Sequence, residues 1–401
     1  MNTCPRSFSV VICVYTEDRW EDILAAVDSV CRQSLPPLET LLVVDHNTAL
    51  LERLGREYGE RAARGEERAA RGEEQVARAG EQVARAEIRV LANAGPRGLS
   101  AGRNTGIAHA RGELVAFLDD DAVAERDWLR FFDEAYENPR VLAVGGRTVP
   151  AWSSGSRPGW FPEEFDWVVG CTYRGLPAGR VRVRNVLGGN ASFRRSAFDA
   201  AGGFATGIGR REGDGRPLGC EETELCIRLA GAVPGAVLLI DDRAVIHHKV
   251  PAVRERFGYF RERAYAEGLS KALVARSVGT DKGLESERRY TTRVLPAGVV
   301  RGVRDAFAVR ARRDRPGGLG RAGAIVTGVT AAAAGYLVGR LRTRGGAVTF
   351  SSGSIEREGA RSRAGTPLAE SPGGSSQVAT GPRSPGPGPG PGPTSAREAA
   401  V

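Results

Sequence analysis

Lysine is nearly absent from this chain. Lys249, Lys271 and Lys282 are the only three, so arginine carries almost all of the positive charge. Long apolar runs are also missing. No stretch of 18 or more strongly apolar residues recurs, which excludes a polytopic membrane protein. Cysteine is sparse: Cys4, Cys13, Cys31, Cys171, Cys220 and Cys226 form no close-spaced framework. The nearest pair, Cys220 and Cys226, lacks metal-site partners, so free thiols in a reducing cytoplasm are expected. Nothing reads as a secretory signal either, because Phe8–Tyr15 is apolar but only strand-length. Glycine and proline are instead abundant. The 53 Gly and 22 Pro make up about 19% of 401 residues, against an average of roughly 12%. Part of the chain must therefore be linker or tail rather than core. The 41% of hydrophobic residues still suffices for one large core or two domains, which excludes collagen and a wholly disordered chain.

The remaining pattern is an alternation of strands and helices. Phe8–Tyr15 is rich in β-branched residues and predicts a strand buried on both faces of a parallel sheet. Ile23, Leu24, Val27 and Val30 recur at helical spacing within Arg19–Gln33. Strands are expected at Thr40–Val44, Ile88–Leu91 and Leu114–Leu118, with a helix over Gly98–Ala110. This order predicts a mostly parallel α/β sheet. Residues 55–86 interrupt it with four imperfect copies of a charged unit of about seven residues, starting at Gly59. Only Val76 and Val83 in those copies are large and apolar, too few for a coiled coil, so a partly helical surface insertion is expected. Residues 345–401 are rich in Gly, Ser, Pro and Arg and predict a disordered tail.

Four clusters offer chemistry. Asp119, Asp120 and Asp121 follow a buried strand directly, which puts three acids at the carboxyl edge of the sheet, where open α/β folds bind ligands. Crowded carboxylates repel unless a cation or donors compensate, and a hard divalent ion completed by phosphates would do so. The same triplet would also serve as a loop or N-cap before the helix at Trp128. Glu221, Glu222 and Glu224 open an amphipathic helix. They suit its positive dipole end, and one of them suits a general base toward a hydroxyl. His247 and His248 follow the expected strand Ala236–Ile240. If the chain stays extended they point to opposite faces, so only one readily serves a site. Gly188, Gly189 and Asn190 open GGNASFRR, a plain turn or a place where a ligand approaches the backbone.

The order of these blocks resembles the family 2 glycosyltransferases, in the form that actinobacterial members carry. The residues concerned are VVDHN at 43–47, GPRGLSAGRNTG at 95–106, FLDDDA at 117–122, then GGNASFRR, EETELCIRL and HHKVP, and the resemblance spans about residues 7–275. It implies a GT-A fold, a Rossmann-like nucleotide-binding sheet flanked by helices, over residues 7–250. It implies a nucleotide-sugar donor and a divalent metal, Mn2+ or Mg2+. By resemblance, Thr16, Glu17, Asp45, Arg103, Asp119 and Asp120 fall at nucleotide contacts, although Gly102 stands where the family usually has alanine. Asp119, Asp121 and His247 fall at the metal, with His248 the lesser candidate. Glu222 falls at the catalytic base, with Glu221 behind it. Trp160 and Trp167, with Gly188, Gly189 and Asn190, fall in the region of a sugar or acceptor pocket, though the aromatics would equally suit a hydrophobic core. The resemblance implies inversion at the anomeric carbon. The Q-x-x-R-W motif of polymerising relatives is missing from RERFGYFRERAYAEG, so a single transfer is expected rather than a processive one. The alternative is a non-catalytic nucleotide-sugar-binding protein of the same fold.

The charge is concentrated. Residues 251–315 hold 16 Lys and Arg against 8 Asp and Glu, a net of +8, next to +9 for the whole chain. Ala322–Gly339 follows without a single charge; as a helix it would span about 27 Å, slightly short of a ~30 Å hydrocarbon core. Residues 251–344 are thus expected to be a basic helical extension. It would either dock on the catalytic part or lie at an anionic membrane surface near a lipid-linked or hydrophobic acceptor. No nucleic-acid motif accompanies the basic residues, so no nucleic-acid partner is expected. The expected location is cytoplasmic, either free or peripheral on the inner face of the plasma membrane.

Overall fold

The computed structural model of the chain describes residues 5–70, 86–206, 219–278, 290–309 and 317–342. Most of the repeat and the whole 345–401 tail lie outside these residues. Among the described residues nine strands form one sheet. The first four are β1 (Phe8–Val14), β2 (Glu39–Val44), β3 (Glu87–Ala92) and β4 (Leu114–Leu118). They run parallel in the order β3-β2-β1-β4. Their connections are α1 (Trp20–Cys31), α2 (Thr48–Ala70) and α3 (Leu99–His109). This is the α/β sheet expected from the alternation. Beyond β4 the sheet mixes direction. The further strands are β5 (Ala122–Ala124), β6 (Val141–Trp152), β7 (Arg180–Arg182), β8 (Asn190–Arg194) and β9 (Val237–Val250). β8 pairs antiparallel with both β4 and β6, β6 runs parallel to β9, and β5 and β7 pair antiparallel with β9.

The period-2 alternation of β1 explains the two-layer core. Phe8, Val10, Ile12 and Val14 pack on one face with Ile23 and Val27 of α1, Leu50 and Leu54 of α2, and Trp128 and Phe132 of α4 (Trp128–Ala135). Val11 packs on the other face with Ile107 of α3, Phe198 of α5 (Arg195–Ala201) and Leu225 and Leu229 of α6 (Glu221–Ala232). Burying both faces of a parallel strand is what its apolar run requires. Leu50, Leu54 and Tyr58 anchor α2 at helical spacing, and the helix continues from there into the first copies of the repeat. The glycines of those copies do not break it.

The strand expected at Ala236–Ile240 is longer than its apolar run. β9 continues to Val250, held by parallel pairing to β6 as far as Trp152. Both histidines therefore sit inside a strand rather than after one.

Three helices follow: α7 (Phe257–Val278), α8 (Leu295–Val309) and α9 (Gly318–Arg342). They share a third core with the short 3-10 segment Glu163–Val169, through Phe161, Phe165, Phe260, Leu295 and Ile325. The stretch Gly318–Leu341 is long and apolar enough to cross a membrane, with a mean hydropathy of 1.5 over an 18-residue window. It packs along α7. A Cβ at Gly335 would lie 2.0 Å from the Tyr265 carbonyl oxygen, and one at Gly268 would lie 2.0 Å from that of Ala332. Glycine on each helix lets the two backbones touch. The outer side of α9 carries Leu319, Val326, Leu337 and Leu341 to the surface. Docking on the protein and an exposed apolar face thus occur together, on opposite sides of one helix.

This packing makes a test. Gly335→Ala and Gly323→Ala gain the same helix propensity, but nothing lies within 4 Å of a Cβ at Gly323. Gly335→Ala should be less stable than Gly323→Ala by about 1–3 kcal/mol in thermal unfolding, the usual cost of overpacking. Equal melting temperatures would show that the close approach is not needed.

Candidate active site

The parallel strands β1, β2 and β4 end on the same edge of the sheet. The residues that follow them, Tyr15, Asp45 and Asp119, line one cavity of about 870 Å³. The N-terminus of α6 brings Glu221 and Glu222 to the same cavity, and β9 brings His248. Helices α7 and α9 wall it opposite the sheet, through residues such as Arg263, Lys271, Val329 and Tyr336. Sequence blocks more than a hundred residues apart therefore share one enclosure.

The three aspartates are not equivalent. Asp119 is part-exposed, whereas the Asp120 and Asp121 side chains are buried. Arg19 Nη1 lies 2.5 Å from Asp120 and 3.0 Å from Asp121. Burial pushes the Asp120 carboxyl up to about 7 against the pull of Arg19. Burial acts to raise Asp121 too, but His248 and Arg19 hold it well below the usual carboxylate range. His248 Nδ1 sits 3.0 Å from Asp121 Oδ1, and Arg254 Nη1 lies 3.3 Å from the other ring nitrogen.

Asp119, Asp121 and His248 each offer one ligand atom, all within 4.8 Å of one another. Two carboxylate oxygens and one imidazole suit a divalent cation such as Mn2+ or Mg2+. The expectation of His247 as the third ligand is corrected. Adjacent residues of a strand face opposite ways, and here it is His248 that turns inward, 4% exposed. His247 is turned outward and pairs with Glu125 at 3.0 Å. The opposite-face rule was sound, but it does not say which face is which.

Arg103 joins the two acidic motifs. Its guanidinium is buried over the rings of Phe117 and Phe204. Nη1 donates to Glu221 Oε1 at 3.0 Å, and Nη2 lies 3.7 Å from Asp119. Burial works against its charge, but Glu221 and Asp119 hold it above its ordinary range. Arg103 lines the cavity, with its charge committed to protein carboxylates. Glu221 is occupied by Arg103, which leaves Glu222 as the freer carboxyl. Burial, followed by the charge of Glu221, raises Glu222 to about 8. Asp120 Oδ2 and Glu221 Oε2 are buried without a hydrogen-bond partner among the described residues.

Gly188 and Gly189 serve this arrangement. A Cβ at Gly189 would lie 2.2 Å from Asp119 Oδ2, and one at Gly188 would lie 2.9 Å from Arg103 Nη1. The turn they form leaves room for the acid and the arginine. Gly102 has a similar reason, since an alanine there would sit 3.2 Å from Cys13 Sγ.

Several other expectations land elsewhere. Asn190 is fully buried and structural: its amide ties Trp128 Nε1 to the carbonyls of Arg147 and Ala244. Trp160 is packed among Phe161, Phe257 and Phe260 instead of lining the cavity, whereas Trp167 does line it. Thr16 caps the turn that starts α1, and Glu17 is exposed near Arg53; neither lines the cavity. Tyr15 and Arg19 take those places. Asp45 lines the cavity but is already engaged, accepting from Asn93 Nδ2 at 2.7 Å and from the Gly98 amide at 2.9 Å. It shapes the loop that leads into α3. Arg19, Arg254 and Arg263 were not anticipated. The one available signal was the arginine bias itself, which does not single out positions.

Three variants test the cation site. In Gly189→Ala the clash falls on the movable end of Asp119, so Mn2+ affinity should fall about tenfold or more with little loss of stability. His248→Ala should weaken Mn2+ binding by a similar factor, while His247→Ala leaves it within about twofold. Mn2+ titration by calorimetry reads all three. Equal effects of the two histidine variants would remove His248 from the site.

Comparison with known proteins comes to the same region. The family model for Glycosyl transferase family 2 matches residues 70–202. The chain is 34% identical over 267 residues to the glucosyl-dolichyl phosphate glucuronosyltransferase of Haloferax volcanii, covering 66% of this chain and 76% of that one. It is 30% identical over 131 residues to the Bacillus subtilis glycosyltransferase EpsJ, covering 32% of this chain and 30% of that one. Among solved structures, the mannosyltransferase PcManGT of Pyrobaculum calidifontis, in complex with GDP-Man and Mn2+, is similar with a TM-score of 0.46 at 16% identity. That match covers 82% of this chain and 87% of the other. GalNAc-T7 with UDP, GalNAc and Mn2+ gives a TM-score of 0.43 at 14% identity, covering 79% and 59%. A third of the aligned positions identical, over three quarters of a glycosyltransferase's length, settles the matter of kinship: the chain belongs to glycosyltransferase family 2 and is an enzyme of glycosyl transfer from a nucleotide sugar.

Proposed function

We propose that the chain is a metal-dependent, inverting, non-processive glycosyltransferase that acts on a lipid-linked acceptor. The observation that carries this reading is a shared enclosure: the Asp119–Asp121–His248 cluster, Glu222 and an apolar helical wall all line one cavity.

Asp119, Asp121 and His248 would hold a divalent cation, whose chemistry is to neutralise the diphosphate leaving group as a Lewis acid. Arg103 holds Asp119 and Glu221 at fixed positions and keeps their mutual repulsion in check. Glu222 takes the proton from the acceptor hydroxyl. The oxygen then attacks the anomeric carbon opposite the diphosphate, through an oxocarbenium-like transition state, and configuration inverts. Phe165, Trp167 and Tyr173 line the cavity and exclude water that would otherwise compete with the acceptor.

The far wall supports this acceptor class. Val329 and Ala333 of α9 line the cavity and also reach the surface, where the apolar face of α9 begins. A hydrocarbon chain leaving the cavity there would meet Val326 and Leu337 on the outside. Val300 and Phe307 of α8 are exposed as well, among basic residues, which suits contact with an anionic membrane. The relative from Haloferax volcanii is named for a glucosyl-dolichyl phosphate acceptor, in keeping with this chemistry.

Glu222→Gln should lower transfer by about 10²–10⁴-fold, the usual worth of a general base, and leave donor binding by thermal shift unchanged. Transfer at the wild-type rate would eliminate Glu222 as the base. A protein that only binds nucleotide sugars would show no transfer in either form. The base acts deprotonated, and its pKa is raised, so activity is lost as pH falls. kcat/KM should rise with pH and level off above about 8. A plateau already reached at pH 5 would point to a carboxylate other than Glu222.

A further inference from the structure

Two residues other than glycine have a positive φ among the described residues, His46 and Cys220. Cys220 has φ 75° and ψ 15°, a left-handed conformation that side chains rarely adopt. It is the N-cap of α6, next to Glu221 and Glu222, yet its side chain does not cap that helix. Strain of this kind persists only where the surroundings impose it. The surroundings here are one turn of α7. The Cys220 thiol donates to Glu267 Oε1 at 3.3 Å, and the Gly219 amide donates to Ser270 Oγ at 3.1 Å. The two residues that lead into α6 are thus each tied to α7.

The clamp is itself held. Burial keeps the Cys220 thiol protonated, which makes it a donor. Burial acts to raise Glu267 too, but Arg263 and Lys271 hold it below the usual carboxylate range, which makes it an ionised acceptor. Arg263 Nη1 donates to Glu267 Oε2 at 3.1 Å, and Lys271 Nζ lies 3.8 Å from Oε1. Gly268 lies between the two clamping residues, and a Cβ there would lie 2.0 Å from the Ala332 carbonyl oxygen of α9. Helix α9 therefore backs the turn of α7 that grips α6. The charged groups that act on Glu222 are Glu221 of its own helix, Arg103 of α3 and, from α7, Glu267 with its cationic partners Arg263 and Lys271.

We infer that Glu267 and Ser270 are positioning residues for the base: through Cys220 and Gly219 they hold the left-handed turn from which α6 starts, and so keep Glu222 at its place in the cavity beside Glu221. This rests on the reading of Glu222 as the base. The clamp places that carboxyl and moves no proton itself.

The place of Glu222 can be read through its proton affinity, with no substrate present. The full chain is labelled with carbon-13 at its glutamate side-chain carboxyls, and the resonance absent from Glu222→Gln is followed against pH. Its midpoint should be about 8, with burial as the main cause. Cys220→Gly removes the bond to Glu267, relieves the strained φ and changes no charge. Ser270→Ala removes the bond to Gly219. In each variant Glu222 should reach water more freely, and its proton affinity should fall at least about tenfold. Cys220→Gly should nonetheless melt no lower than wild type, because glycine adopts a positive φ without strain. Cys220→Ser keeps a donor to Glu267 and should stay within about threefold of the wild-type affinity. A merely structural tether would lower the melting temperature and leave the midpoint alone. Midpoints unmoved in both Cys220→Gly and Ser270→Ala overturn the inference and leave Glu222 standing as the base. A shift in Cys220→Ser as large as that in Cys220→Gly removes Glu267 from the clamp. A wild-type Glu222 midpoint in the ordinary carboxylate range overturns the clamp together with the raised base proposed above.

Discussion

One buried guanidinium holds the site together. Arg103 lies between Asp119 and Glu221, two carboxylates from motifs a hundred residues apart. Without it, acids from β4 and α6 would meet in a low-dielectric space with nothing between them. Breaking a buried pair of this kind by removing one partner costs about 3–5 kcal/mol, because the remaining charge is stranded. The neighbouring features follow from the same constraint. Phe117 and Phe204 give the guanidinium flat apolar faces. Gly188 and Gly189 make room for it and for Asp119. Glu221, tied to Arg103, leaves Glu222 unencumbered and raises its proton affinity.

The first half of the site was legible in the amino-acid sequence because its logic is local. A β-branched run ending in acids reads as a buried strand with its carboxyl edge toward a ligand, and β1, β2 and β4 behave so. The aspartate triplet and the Glu221–Glu222 pair reach the cavity for the same reason. What local patterns do not carry is facing. The two histidines of β9 are equivalent by composition, and only the pairing of β9 with β5 and β6 turns His248 inward. Asn190 looks like a turn residue beside a ligand, yet it is the first residue of β8 and satisfies buried carbonyls. Trp160 and Trp167 are seven residues apart in one aromatic stretch, yet Trp160 packs on Phe257 and Phe260 of α7 while Trp167 lines the cavity and donates to the Tyr290 hydroxyl.

The helices α7 to α9 were the least legible part. A run of Ala and Gly with scattered larger residues fits a membrane span, a surface helix or a buried one equally well. In three dimensions its glycines show how it docks, because Gly335 meets a backbone carbonyl of α7 while Gly323 meets nothing. The opening imbalance between lysine and arginine also acquires a meaning. Arg19, Arg103, Arg254 and Arg263 all lie in or against the cavity with fixed planar contacts, a task for which a flexible ammonium is poorly suited.

The placement of α7 and α9 has a consequence in time. The sheet and its acids are complete by Val250, but the wall opposite them is made of residues synthesised afterwards. Domains generally fold as units, and β1 to α9 belong to one such unit, so the cavity cannot be enclosed until α9 has been synthesised and has docked.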